Sequence, residues 1–496
     1  MPRQKSVAGN QWQSKKQKYP VTSYWSLVTG RWLLPLLTSL LLILSYPKFN
    51  QGWLAWFAFA PITLYFKKSE NLKQCLWSGF IAGFAFYLGI LYWIYFTLRA
   101  GGVGQFFSAL AWILLSLVLS LEWILFSLIG FYFKKTGDLI YPYVLSAAWV
   151  SVEWLKIFIS REGVWFPWFM LGYTQWQYPE MIQIVSVTGV YGLGFAVCLA
   201  GASISGVLVN GKKPSVRLAE FLPAILIPVF LFWFGRHEIK KSEIAGTAGN
   251  VKFSVLQPNI DFYKKWDGEY EEWIKNRIKS LIEKTRSFKP DVIIWPENAL
   301  PGWIDDPFMK KWLDGIVAKS GRFHIVGSVS KADGRRVSSF LLDSSGGIKA
   351  SYDKRELVPF GEYVPFRKAL GKFIDVVGAL GEFEPGETNQ KLFKIDNGVK
   401  IANSICYESI FPYLQKGDVQ KGADILVNIT NDGWYLDTAA PYQHFTANIF
   451  RAVENRKFLI RAANTGISAV IDPWGRVIEK TELNEYRILN LNVPGK

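Results

Sequence analysis

Glu297, Lys354 and Cys406 each close an apolar run of strand character, and together they offer a base, a cation and a thiol. Cys406 stands in Asn403-Ser404-Ile405-Cys406-Tyr407-Glu408, after a β-patterned run from Gly398 to Ala402 and ahead of a helix expected from about Ser409. Helix N-terminal N–H groups at such a junction favour the thiolate, the form that attacks carbonyl carbon. The run Asp291 to Trp295 leads through Pro296 into Glu297, a carboxylate placed to take the thiol proton and return it to a leaving group. That duty favours a pKa raised by an apolar setting. Ile348 to Lys354 ends in an amine whose charge would sit beside the oxygen of a tetrahedral intermediate, with the backbone N–H of Tyr407 as a second donor. The chemistry is acyl transfer through an enzyme thioester.

Each residue has a plainer reading when taken singly. A glutamate after Trp-Pro serves turns, a lone lysine is solvated, and a buried cysteine packs. The order of the three, each at a strand end, outweighs those readings. A rival base is His444, in Pro441-Tyr442-Gln443-His444, and His324 lies in a strand. Cys–His sites need an Asn or Asp to orient the ring, whereas the distinctive local context here surrounds Glu297 and Lys354. Cys75 and Cys198 fall in apolar runs and read as packing, without a disulfide framework. No Cys/His pair has metal-ligand spacing, so neither metal nor cofactor is expected.

The elements that must carry these residues begin at residue 251. Strands are expected over Val251–Gln257, Asp291–Trp295, His324–Val329, Ser339–Asp343, Ile348–Lys354, Lys391–Ile395, Val399–Ile405, Asp424–Ile429, Ile467–Ile471 and Tyr486–Leu491. Helices are expected near Gly268–Ser287, Pro307–Ser320 and Ala439–Lys457. Such alternation predicts an α/β layered domain over 251–496.

The first half is of another kind. The chain has 496 residues, half of them hydrophobic and 16% aromatic, with a net charge of +16. Residues 1–250 hold 21 Lys and Arg against 9 Asp and Glu, so most of the excess lies among apolar runs rather than in the α/β domain. That placement suits basic loops beside membrane helices and argues against a nucleic-acid partner. A polar, basic tail (1–31) without a cleavage pattern precedes seven apolar runs of spanning or near-spanning length. These cover 32–47, 51–66, 75–97, 107–133, 139–157, 181–209 and 218–235, giving a membrane domain over 32–236 and a linker over 237–250. With the tail inside, inner loops carry Lys67, Lys68, Lys73, Lys134, Lys135, Lys212, Lys213 and Arg217; outer loops carry only Lys48, Arg99 and Arg161. Seven crossings then leave the α/β domain outside. The first two runs are short enough to form a re-entrant hairpin instead. Glu122, Glu153 and Lys156 lie within spans, with Glu153 and Lys156 expected to pair on one helix face. Trp165 to Trp168, with Trp176, reads as an interfacial aromatic belt lining a lipid access path.

Glu297, Lys354 and Cys406 in that order resemble the nitrilase superfamily. With seven spans ahead of Trp295-Pro-Glu297, Lys354…Pro359-Phe-Gly-Glu362-Tyr-Val-Pro365 and Ile405-Cys406-Tyr407-Glu408, nearly the whole chain resembles the apolipoprotein N-acyltransferase family. The resemblance implies an α + α/β architecture, a polytopic transmembrane bundle followed by a nitrilase-like αββα sandwich on the periplasmic side of the bacterial inner membrane. It implies a catalytic triad of Glu297, Lys354 and Cys406. It also implies a phospholipid acyl donor and a diacylglyceryl apolipoprotein whose N-terminal amine accepts the chain. Glu362 and Glu408 match supporting acidic positions that would position Lys354 or the amine. Trp266, in Tyr263-Lys-Lys-Trp266-Asp267, matches an important tryptophan. Asn431-Asp432-Gly433-Trp434-Tyr435 matches a mobile loop, with Gly433 the expected hinge. Arg451, Glu454, Arg461 and Asn464 match later motifs for which bracing the core is an equally good role. The family usually closes with another transmembrane helix, and no apolar run of that length follows residue 236 in the sequence given.

The lipid bilayer has a physical reason to be there. Moving an acyl chain of about 16 carbons into water costs roughly 0.8 kcal/mol per CH₂, which a soluble domain would add to its barrier. Two other functions stay open: a membrane-tethered amidase or nitrile hydrolase with water as acceptor, and a transporter or receptor with an inactive outer domain.

Overall fold

A computed structural model of the chain describes residues 22–161, 163, 165–209, 212–242, 250–261, 264–332, 334–365 and 383–495. All seven apolar runs become helical. Helix α1 (Thr22–Ser45) turns at Tyr46–Asn50 into α2 (Ala55–Lys68), after a 3₁₀ turn at Gly52–Leu54. Helices α3 (Leu72–Ile90) and α4 (Trp93–Ala100) meet at a 45° bend. Helix α5 (Gln105–Leu119) runs on into α6 (Leu121–Phe133), followed by α7 (Tyr141–Ser160). A short α8 (Pro179–Ile182) leads to α9 (Val185–Ile204), and α10 (Pro214–Ser242) completes the half.

Among the described residues, four helices are long and apolar enough to cross a membrane: α5–α6 together, α7, α9 and α10; the bent α3–α4 pair makes five. The apolar part of α1 (Trp32–Ser45) and α2 are shorter than a span. The seven-crossing expectation therefore depends on that first helical pair. Helix α1 starts at Thr22, inside the stretch assigned to the tail, and α10 runs to Ser242, into the assigned linker. Residues 1–21 and 243–249 lie outside the described residues. Exposed Phe57, Trp77, Phe106, Phe107, Trp154, Leu226 and Trp233 on the helices' outer faces suit a lipid solvent.

Lys156 does not pair with Glu153. Its ammonium lies 3.7 Å from Glu122 on α6, which also accepts from the Tyr87 hydroxyl and the Trp165 indole, each at 2.6 Å. Glu153 instead accepts the Leu171 N–H at 2.6 Å, at the start of the 3₁₀ turn Leu171–Gln175. That N–H has no helical partner, and in an apolar setting it holds the carboxylate away from its own helix neighbour.

The second half is two six-stranded sheets between helices. The first orders as β12-β1-β2-β3-β4-β5, with β1 (Asn250–Gln257), β2 (Val292–Ile294), β3 (Phe323–Ser330), β4 (Arg336–Leu342), β5 (Ile348–Asp353) and β12 (Arg487–Pro494). The second orders as β11-β10-β9-β8-β7-β6, with β6 (Phe393–Lys394), β7 (Lys400–Ile405), β8 (Ile425–Thr430), β9 (Phe458–Ala463), β10 (Ala469–Ile471) and β11 (Val477–Lys480). In each sheet the three central strands run parallel. Period-two alternation sorts the core: Val292 and Ile294 face the inter-sheet layer, while Ile293 packs beneath α11 (Glu271–Lys284) and α12 (Pro307–Ser320). Helices α13 (Pro412–Gln420) and α14 (Ala440–Asn455) accompany the second sheet. The αββα layering expected from the sequence is present.

Two strands were not expected, β9 and β11. Strand β9 is central and buried, but Arg461 interrupts its apolar run. Strand β11 is a short edge with charged residues at Glu479 and Lys480.

Candidate active site

Glu297, Lys354 and Cys406 follow β2, β5 and β7, at the carboxyl ends of their strands, where open α/β sheets present ligands. Asn431 follows β8 and Asn464 follows β9 at the same end. Gly327 on β3 makes room for the Glu297 turn: a Cβ there would lie 2.3 Å from the Pro296 carbonyl oxygen and 2.7 Å from the Glu297 Cα.

Cys406 does not begin an α-helix. It opens a five-residue 3₁₀ turn, Cys406–Ile410, with φ +52°, a left-handed conformation that costs a residue bearing a Cβ about 1–2 kcal/mol. Bonds on both flanks hold it. Glu408 Oε2 accepts the Ile405 N–H at 2.6 Å, and His444 Nε2 donates to the Cys406 carbonyl at 2.9 Å. Burial pushes the thiol well above its ordinary value; Glu297 adds to the shift, and Lys354 opposes it. The resting sulfur is thus a thiol, contrary to the thiolate expected at a helix start, because a short buried turn offers too little dipole to offset desolvation. The N–H of Tyr407 sits in the first turn, where intrahelical acceptors are lacking.

Glu297 and Lys354 meet. Lys354 Nζ donates to Glu297 Oε1 at 3.3 Å and to Glu362 Oε1 at 2.5 Å. Glu297 Oε2 accepts the Asn431 N–H at 2.8 Å, and Glu362 Oε2 accepts the Val358 N–H at 2.8 Å. Burial raises the Glu297 carboxyl, with Lys354 pulling the other way. Burial works against the Lys354 ammonium, but Glu297, Glu362 and the cysteine hold it well above the usual lysine range. A carboxyl raised by burial, a fixed ammonium and a protonated thiol thus lie buried within one another's electrostatic field.

The other expected residues divide by role. Glu362 touches Lys354. Glu408 does not; its Oε1 accepts the Arg355 N–H at 2.6 Å and its Oε2 the Tyr352 hydroxyl at 2.8 Å, tying the backbone after Lys354 to the backbone before Cys406. Trp266 is half exposed beside Trp303, ring centroids 6.2 Å apart; Tyr263 lies outside the described residues. In the expected mobile loop Asn431, Asp432 and Tyr435 are buried, Asn431 accepts the Gly433 N–H, and only Trp434 is well exposed. Arg451 pairs with Glu454 at 2.7 Å and reaches the carbonyls of Ser409 and Ile410, a bracing role. Asn464 holds the Ile260 backbone and donates to Asn431 Oδ1.

His444 is a support, not the base. Its Nδ1 lies 2.8 Å from Asp432 Oδ1, and Arg461 donates to Asp432 Oδ2 at 2.7 Å and to Asn428 Oδ1 at 2.6 Å. Although burial opposes it, Arg461 and His444 hold the Asp432 carboxyl down at about 2. His324 accepts the Trp295 indole N–H at 2.9 Å in the core. In the sequence Asp432, Arg461, Gln443 and His444 stand out only separately, within a loop, a later motif and the flank of a rival base, and nothing joins them; Thr430 beside the sulfur is not marked at all.

Trp165 to Trp168 is not an exposed belt. Phe166 and Trp168 stack on the Tyr407 ring at 6.1 and 6.2 Å, and Trp168 tilts against His444 at 5.4 Å. Trp168 and Trp93 both donate to Gln443 Oε1, at 3.2 and 3.1 Å. The helical half thus packs against the turn that carries Cys406, and Trp168 and Trp93 are buried in that contact.

Residues 38–203 match the family model described as the apolipoprotein N-acyltransferase N-terminal domain, and residues 254–493 match carbon-nitrogen hydrolase. The apolipoprotein N-acyltransferase of Geobacter metallireducens is 34% identical over 475 residues, covering 92% of this chain and 88% of its own. That of Rickettsia typhi is 32% identical over 451 residues, covering 89% and 88%. Among solved structures, an amidase from Nesterenkonia sp. covers 49% of this chain and 90% of its own at 20% identity, with a TM-score of 0.38. A membrane helical half joined to an acyl-transferring α/β half, matched over about nine-tenths of its length by such relatives, places this chain in the apolipoprotein N-acyltransferase family.

Proposed function

We propose that the chain moves a fatty acyl group from a membrane phospholipid, through a thioester on Cys406, to the N-terminal amine of a diacylglyceryl-cysteine apolipoprotein. The reading rests on one observation above the others: Lys354 is bonded to Glu297 at 3.3 Å, and the Cys406 thiol lies in the field of both. Glu297 takes the sulfur proton, the sulfur attacks the ester carbonyl, and Lys354 with the Tyr407 N–H holds the oxyanion. The carbon–oxygen bond breaks, and Glu297 returns the proton to the departing lysophospholipid alkoxide. The amine then attacks the thioester, and its proton passes by Glu297 to the sulfur. Glu362 holds Lys354 in place. Half-exposed Trp266 and Trp434, and Tyr435 whose hydroxyl feels the Cys406 thiol, would contact substrate.

Near-complete burial of all three side chains supports transfer to an amine over hydrolysis, because water must be kept from the thioester. Apolar helices beside the site support a lipid donor. The loop charges favour the bacterial inner membrane with the catalytic half on the periplasmic side. The test is intact-protein mass measurement in phospholipid vesicles. A long-chain acyl adduct on Cys406, discharged onto a diacylglyceryl-cysteine peptide, is expected. Free fatty acid as the sole product with every amine would make the chain a hydrolase.

A further inference from the structure

Aminolysis of a thioester by an N-terminal amine carries a proton count that one carboxylate cannot meet. The acceptor arrives as an ammonium, since α-amino groups titrate near 8. It must lose one proton before it can attack and a second once the carbon–nitrogen bond has formed. Glu297 has a place for the second, which it passes to the departing sulfur. The first needs another acceptor.

Lys265 is built for that need. Its side chain is 2% exposed, and Nζ has no hydrogen-bond partner among the described residues. Most buried ammonium groups are paired, and an unpaired one is costly to keep. Glu297, at the end of β2, is the charged group whose field reaches it. Lys264 and Lys331, like Lys265, face rings, over Tyr270 and Trp303, but neither of those two is buried. The stem lies against Trp266, with Nζ 5.2 Å from that ring, and Trp266 is half exposed beside Trp303. Lys265 thus lies between the half-exposed Trp266 ring and the field of Glu297.

We propose that Lys265, as the free amine, takes the first proton from the acceptor's ammonium, leaving Glu297 unprotonated for the second. One N–H bond of the acceptor breaks and one forms on Lys265, which then releases its proton to water. The acceptor's nitrogen next attacks the thioester carbon, the carbon–sulfur bond breaks, and the second proton moves by Glu297 to Cys406. Burial supports this by lowering Lys265 to about 7, against the opposing charge of Glu297, so that much of it is unprotonated at neutral pH. The inference rests on the aminolysis reading above.

The experiment uses the full chain in phospholipid vesicles, as wild type, Lys265→Met and Lys265→Gln. Acyl-Cys406 is first scored by mass; its absence in the wild type would sink the parent reading and this inference with it, whereas the outcomes below bear on this inference alone. The acyl-enzymes are then discharged with a diacylglyceryl-cysteine peptide and with hydroxylamine, a weak base already unprotonated at neutral pH. At pH 7 only about a tenth of an α-amine is neutral. Both variants should therefore lose roughly tenfold in peptide discharge, the gap closing as the pH passes the amine's own titration, while hydroxylamine discharges all three alike. Equal slowing with both nucleophiles, or an unchanged pH profile with the peptide, overturns the proposal. Failure of both variants to form any acyl-enzyme overturns it too, because Lys265 would then serve the first half-reaction.

Discussion

At the scale of single residues, the sulfur and its base are tuned in the same direction by the same cause. Burial raises the Cys406 thiol and the Glu297 carboxyl together, while Lys354 lowers both. Acylation requires Glu297 as the carboxylate, and that form is present only above its raised pKa. The acylation rate should therefore fall on the acid side at a higher pH than an exposed glutamate, near 4.3, would give. A half-point at or below that value, in single-turnover acylation followed by mass, would count against burial as the tuning force. Glu297→Gln keeps the size and the Asn431 contact but removes the base, and should lower acylation by about 10²–10⁴-fold with the fold intact. The set of Glu297, Lys354 and Cys406 was legible in the sequence as a candidate site because each ends a strand with a distinctive flank. The groups around it were not. Asp432 and Arg461 do their work through each other, and nothing in linear order joins a turn aspartate to an arginine that is later in the chain. Lys265 is unmarked in Tyr263-Lys-Lys-Trp266-Asp267, and only its burial sets it apart.

Elements place these residues by the lengths at which strands stop. Glu408 links two such ends, accepting N–H groups from Ile405 and Arg355. Glu408→Ala leaves both buried donors unpaired, at about 1–3 kcal/mol each, and should lower the thermal midpoint and slow acylation together. Glu408→Gln keeps one accepting oxygen and should fall between. Gly327 offers a cleaner separation, since it touches no reacting atom. An added methyl must push the Pro296–Glu297 backbone, and misplacement of a catalytic group by about 1 Å can cost 10²-fold. Gly327→Ala should thus cut the acylation rate by at least tenfold while lysolipid and peptide affinities hold; an unchanged rate would mean that the turn has slack. Most strands could be read from apolar runs of period two. Strand β9 could not, because a buried arginine looks like a loop residue until its partners Asp432 and Asn428 are known.

Across the whole molecule, the two halves share a wall. The sequence separated them well, by charge and by the length of apolar runs, but it set Trp165–Trp168 at a lipid surface. An aromatic run at a helix end looks the same whether it meets headgroups or a folded partner. Here it meets Tyr407, one residue beyond Cys406, and Gln443 bonds across the same seam. That one amide accepts from Trp93 of α4 and Trp168 of the outer segment, and donates to the carbonyls of Pro47 and Ile90 at 3.3 and 3.5 Å. It sits one position before His444, which holds the Cys406 carbonyl. Gln443→Leu fills the space but strands two buried indole donors, a loss of about 1–3 kcal/mol for each, at the seam and not in either core. The expected outcome is faster amide hydrogen exchange in both Trp165–Leu171 and the start of α14, with acylation slowed. Gln443→Glu keeps an accepting oxygen for the indoles and should restore much of that protection. If Gln443→Leu exchanged like wild type on both sides of the seam, the membrane half would be an anchor only, and the Cys406 turn would owe its position to the catalytic half alone.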